Sequence, residues 1–176
     1  MELAKYQIPN VRKMVKRIGI VLFSFFIQIG NTIPKIHKSE RRQDKMIDAY
    51  NLTEQTLATG DYVTFNGYNY GGNKWCSADQ NSLTITRTGT YEIEGIVNAT
   101  PTVAGQMQFN LTRNGTNIPG GFIYLPGATV GTIENGSARV IVNAFAGTTF
   151  GIRNNTATNP VTIPEQATSI IIKRVA

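Results

Sequence analysis

Residues 89–98, Gly-Thr-Tyr-Glu-Ile-Glu-Gly-Ile-Val-Asn, constrain the fold more than any other stretch of this chain. Tyr91, Ile93 and, past Gly95, Val97 fall on one side. Thr90, Glu92, Glu94 and Ile96 fall on the other. A period of two is that of a half-buried strand. The turn dipeptide Thr88-Gly89 precedes the run, and Asn-Ala-Thr-Pro follows it. From residue 50 onward the same design recurs: a short β-rich run, a Gly/Asn turn, another run.

The runs read as strands lie near 50–57, 61–66, 82–87, 90–98, 106–113, 116–118, 121–125, 137–145, 148–153 and 168–175. About eight to ten short strands at this spacing predict an all-β antiparallel sandwich or barrel. Asn114-Gly115 is the strongest hairpin signal. In 106–113, Met107, Phe109 and Leu111 alternate with Gln106, Gln108, Asn110 and Thr112, which predicts a sheet with one dry and one wet face.

Charge divides the chain. Residues 1–49 carry ten Lys/Arg against four Asp/Glu, and residues 50–176 carry seven of each, so the whole net charge of +6 sits in the first segment. Residues 1–34 read as a basic and apolar arm. Arg12, Lys13, Lys16 and Arg17 precede the apolar run 18–30, which contains Phe23, Phe25 and Phe26. A basic flank before a short apolar run is the pattern of a secretory signal. The run is too short for an ordinary spanning helix, and Gln28–Pro34 offers no small-x-small cleavage site. A retained segment of this kind must bury its phenylalanines against a partner surface or a membrane. Two readings follow, a targeting segment or a docking arm. Residues 35–48 are charged and free of Gly and Pro, a linker or short helix, and the β domain is expected over 49–176.

Chemistry has little to stand on. The lone Cys76 excludes a disulfide framework, and the single histidine, His37, lies in the segment before the domain. Glu92 and Glu94 share a strand face, where carboxylates are ordinarily solvated. Asp61, Asp79 and Asn73 are conceivable calcium ligands but follow no recognised spacing, so neither a metal nor another cofactor is expected. Six Asn-x-Ser/Thr matches begin at Asn51, Asn98, Asn110, Asn114, Asn135 and Asn154, as chance produces in a chain rich in Asn and Thr. The loop 67–75 holds Tyr68, Tyr70 and Trp75, which either contact a ligand or plug the end of the barrel.

The order of these runs resembles the tumour-necrosis-factor and complement-C1q jelly roll, closest to the heads of collagen-like spore-surface and phage proteins of Gram-positive bacteria. The resemblance covers about residues 49–176. It rests on Thr88-Gly-Thr-Tyr-Glu-Ile93, on Asn114-Gly-Thr116 with the Ile118-Pro-Gly120 step, on Val140–Thr149, and on the apolar terminal run Ser169–Ile172. It implies a homotrimer. Three consecutive isoleucines, Ile170, Ile171 and Ile172, have no polar face, and with Tyr91, Phe109 and Phe150 they are expected near a shared axis. No collagen stalk precedes the head.

The function expected from this reading is non-catalytic: a structural and adhesive protein on a virion surface, such as a phage decoration or head-fibre protein. Residues 1–34 would dock it to a capsid or other surface protein, and a glycan or host receptor would meet its far loops. One alternative is an exported bacterial cell- or spore-surface protein with residues 1–30 as signal or anchor, the only case that brings in a membrane. The other is a capsid subunit whose basic arm binds nucleic acid, which the Phe-rich run disfavours.

Overall fold

The computed structural model describes residues 46–70, 75–157 and 160–175. Every regular element among them is a strand: β1 (Met46–Tyr50), β2 (Gln55–Leu57), β3 (Gly67–Tyr70), β4 (Cys76–Asp79), β5 (Ser82–Ile85), β6 (Gly89–Pro101), β7 (Gly105–Arg113), β8 (Thr116–Ala128), β9 (Glu134–Ala144), β10 (Thr149–Asn154), β11 (Val161–Ile163) and β12 (Ser169–Arg174). They form an antiparallel jelly-roll sandwich. One sheet runs β2-β11-β6-β12-β1-β3, with β9 on the other edge of β6, and the second runs β4-β5-β10-β7-β8.

The strand β6 is the spine of the first sheet. Its core face carries Tyr91, Ile93, Val97 and Ala99, none of them exposed, while its other face is half-buried throughout. It pairs with β9 from Gly89↔Ala144 to Ala99↔Glu134, and with β12 from Arg174↔Tyr91 to Ser169↔Ile96. Gly95 does not interrupt it. The glycine lies on the core face, where an added Cβ would sit 2.8 Å from a Leu111 methyl of the opposite sheet and 3.1 Å from one of Ile123. Bare backbone at this point lets the second sheet approach closely, as interior strand glycines do.

Several boundaries differ from expectation, each for a reason outside local sequence. The expected run 50–57 is two strands, because Asn51 turns the chain between β1 and β2. Fully buried, its Nδ2 donates to the Pro164 carbonyl at 2.5 Å and to that of Thr53 at 3.1 Å, and its Oδ1 accepts from Ala167 N at 3.1 Å and Thr168 N at 2.8 Å. Residues 46–48, read as linker, belong to β1, where Ile47 pairs with Ile172. Residues 61–66 form no ladder but are pinned by Val63 N to Ile152 O and Phe65 N to Gln80 O. Gly67–Tyr70, read as loop, pairs with β1, and β4 and β11 are further short strands. The runs 116–118 and 121–125 merge into β8, with a register shift against β7 between Asn110 and Thr112. The Asn114-Gly115 hairpin is present. Both residues have positive φ, 49° and 77°, and Asn114 Oδ1 also accepts from Thr149 N at 2.9 Å.

The two ends of the sandwich differ. The chain enters at Met46, level with Lys173, Glu92 and Ile141. At this basal end lie the turns 86–88, 114–115 and 145–148. At the opposite, apical end lie the turns 102–104 and 129–133 and residues 155–157 after β10.

Candidate functional surface

The residues expected to mark a trimer axis are mostly core residues of the single chain. Tyr91, Phe109, Ile170 and Ile172 have no exposed surface, and Phe150 has 1%. They hold the two sheets together and have no area left for a partner. Ile171 differs because strand side chains alternate. It lies half-buried on the outer face of the first sheet, opposite Asp48 on one side and Glu94 on the other. That face also presents Met46, Tyr50 and Ile96, interleaved with charges. Glu92 accepts from Lys173 Nζ at 3.1 Å and lies 4.0 Å from Arg139. Such half-exposed pairs organise a surface more than they stabilise it.

Trp75 and Tyr68 are likewise drawn inward. Trp75 is only 4% exposed and tilts against Tyr91, with ring centroids 5.4 Å apart. The Tyr91 hydroxyl donates to Arg87 O at 2.5 Å. Burial lifts its phenol above the ordinary range, and the Arg174 guanidinium opposes the shift. Tyr68 is half-buried and its hydroxyl donates to the Phe65 carbonyl. Tyr70 stands in β3 opposite Ile47. Residues 71–74 lie outside the described residues, as do all the arm residues, Arg12, Lys13, Lys16, Arg17, Phe23, Phe25 and Phe26. Trp75 therefore belongs to the plug of the sandwich and cannot stack on a ligand from solvent.

The reactive groups are structurally engaged. Burial pushes the Cys76 thiol up to about 12, so it stays protonated at neutral pH and is a poor nucleophile. The Asp61 carboxylate accepts from Ala58 N at 2.8 Å and that of Asp79 from Gln80 N at 2.7 Å, each closing its own turn. Among the described residues no three His, Cys, Asp or Glu side chains converge. Three of the six Asn-x-Ser/Thr sites, Asn51, Asn110 and Asn154, have fully buried asparagines that no glycan can occupy.

What sequence periodicity missed is the exposed apolar surface. On β8, Phe122 and Tyr124 are 42% and 53% exposed and stack with centroids 6.0 Å apart. On β9, Ile141 projects from the outer face, and Phe145 follows in the basal turn at 74% exposure. At the apex Val103, Val130 and Ile133 are exposed. A usable signal exists in Phe122-Ile-Tyr-Leu125. Like the three isoleucines, it has no polar face, so one side must point outward.

No protein-family model matches the sequence, and no curated protein matches it by sequence. Solved structures do match in fold. The Eiger tumour necrosis factor of S. frugiperda aligns at 10% identity over 75% of this chain and 92% of that one, with a TM-score of 0.56. Murine APRIL aligns at 9% identity over 74% and 98%, with a TM-score of 0.57. The globular domain of zebrafish complement 1qA aligns at 10% identity over 75% and 98%, with a TM-score of 0.56. The sandwich of this chain is a jelly roll of the tumour-necrosis-factor and C1q type.

Proposed function

We propose that this chain is a non-catalytic homotrimeric head, displayed on a virion as a decoration or head-fibre protein and held there by residues 1–34. The observation that carries the reading is the separation of the two ends. The first described strand begins at Met46, and the apical turns 102–104 and 129–133 lie at the far end of the same sandwich. A head joined at one end and open at the other suits display.

Self-association draws support from two unlike apolar surfaces. One is the β8 edge bearing Phe122 and Tyr124, and the other is the outer face of the first sheet bearing Met46, Tyr50, Ile96, Ile141 and Ile171. An edge on one copy meeting a face on the next is a heterologous contact, which closes into a ring when the rotation allows. Three copies match the assembly that the sequence resemblance implies.

The test is native mass spectrometry of the full chain, followed by imaging of particles made with and without it. A mass three times the 19.3 kDa of one chain and density for the head on the particle surface are expected. A monomer at micromolar concentration would refute the assembly, and particles lacking the head would refute the location. A second reading is favoured by the basic flank before the apolar run 18–30: an exported bacterial cell- or spore-surface protein. Mature protein beginning beyond Gly30 would select it.

A further inference from the structure

The distribution of ionisable side chains along the domain is one-sided. Residues 51–61, 95–112, 114–138 and 154–172 contain no lysine or arginine, and the apical turns fall within them. Of the cations of the described domain, Arg87, Arg113, Arg139, Lys173 and Arg174 sit elsewhere. Arg153 lies near the apical end of β10, where its Nε donates to Asn155 Oδ1 at 3.1 Å while its terminal nitrogens reach toward the base, to Gly115 O and Asn117 Oδ1.

The apical turns 102–104 and 129–133, and residues 155–157, carry no charge of either sign. Val103, Val130 and Ile133 project from two of them at 51%, 54% and 60% exposure. The two turns are neighbours: β7 pairs with β8 at Gly105↔Ala128, and β6 pairs with β9 at Ala99↔Glu134. Acids alone surround this neutral centre. Glu134 follows Ile133, Glu54 and Glu165 are exposed on the adjoining turns, and Asp61 lies on the turn hydrogen-bonded to the end of β10. One Glu134 oxygen, Oε2, is shielded from water and accepts no hydrogen bond, so a cationic donor brought by a partner would relieve it.

We infer that the apex, centred on Val103, Val130 and Ile133 and rimmed by Glu54, Glu134 and Glu165, is a docking surface for a protein partner with an exposed apolar patch bordered by lysine or arginine. An apolar centre supplies the contact area, and the rim charge steers and orients the encounter. The same charge pattern repels nucleic acid and anionic membranes, which meet cationic surfaces. The inference concerns each protomer and does not depend on the trimer or on the particle that carries it.

The test uses the full chain and a fluorescent amphipathic peptide of alternating Leu and Lys, read by anisotropy at two salt concentrations. A Leu/Glu peptide and phosphatidylserine vesicles serve as comparisons. The Leu/Lys peptide should bind, and more weakly at high salt. The triple change Val103→Ser, Val130→Ser and Ile133→Ser should weaken it about tenfold or more, since each side chain loses its apolar contact. The triple change Glu54→Gln, Glu134→Gln and Glu165→Gln should remove most of the salt dependence. Ile133→Ser alone provides a milder variant, and an unchanged melting temperature certifies the fold. A loss of Leu/Glu-peptide or vesicle binding on the serine changes as large as that of the Leu/Lys peptide, or Leu/Lys affinity untouched by those changes, would each overturn the proposal.

Discussion

Replacing Asn51 with alanine tests whether a single buried amide joins the two ends of the β domain. The residue immediately follows β1, the first strand of the domain, yet its side chain spans to Pro164, Ala167 and Thr168, just before the last strand. It makes four hydrogen bonds in a site with no solvent exposure. Each such bond is worth about 1 kcal/mol net, and the buried Thr168 N–H, left without an acceptor, adds a desolvation cost of about 1–3 kcal/mol. Water entering the vacated space would recover part of this. The expected loss is therefore about 3–4 kcal/mol, large against the ~5–15 kcal/mol total stability of a typical domain. Urea unfolding of the full chain at one fixed protein concentration measures it, because assembly would otherwise shift the midpoint. The comparison is Asn66→Ala. Asn66 is exposed and its Oδ1 accepts from Leu52 N at 2.5 Å, so its loss should cost about 1 kcal/mol or less. A loss below about 1 kcal/mol for Asn51→Ala, or equal losses at the two sites, would refute the argument.

Three further outcomes are expected. Gly95→Ala places a methyl 2.8 Å from Leu111, and overpacking of this kind should cost about 1–3 kcal/mol in the same assay; a neutral result would mean the sheets move apart freely. The Cys76 thiol titrates near 12 folded against 9.0 for an ordinary thiol. Its contribution is therefore intact below about pH 9 and is lost as pH rises toward 12, at about 1.4 kcal/mol per pH unit. Stability curves of the natural chain and Cys76→Ala should diverge only in that window, and parallel curves would contradict the burial. Ile171→Glu should leave the secondary-structure signal intact but lower the native mass, since the side chain faces outward from the sheet; an unchanged trimer would place the interface elsewhere.

The alternation in 89–98 was sufficient to identify a strand, its buried face and its turn, because a period of two is a local property of the extended backbone. The Asn114-Gly115 turn was legible for the same reason: only residues tolerant of positive φ close so tight a hairpin. Short strands such as β3, β4 and β11 were not legible. Their ladders come from partners distant in the chain, as Gly67–Tyr70 pairs with β1. Segments of three or four residues are too short to carry a distinct periodic mark of their own.

All-apolar runs show the same limit at the candidate surface. The sequence requires that Ile170–Ile172 and Phe122–Leu125 bury one parity and present the other, but not which. The register with Gly95 and Ala49 turned Ile170 inward and Ile171 outward. Trp75 lay in a glycine-rich stretch equally suited to a loop or a plug, and contact with Tyr91 across the core decided for the plug. The sequence by itself therefore determined the class of fold, the neutrality of the domain and the basic character of the segment before it. Only the tertiary structure gathered the uncharged turns at one end and all the described cations but Arg153 away from it. Distance along the chain says nothing about which turns share an end until the strands between them are paired.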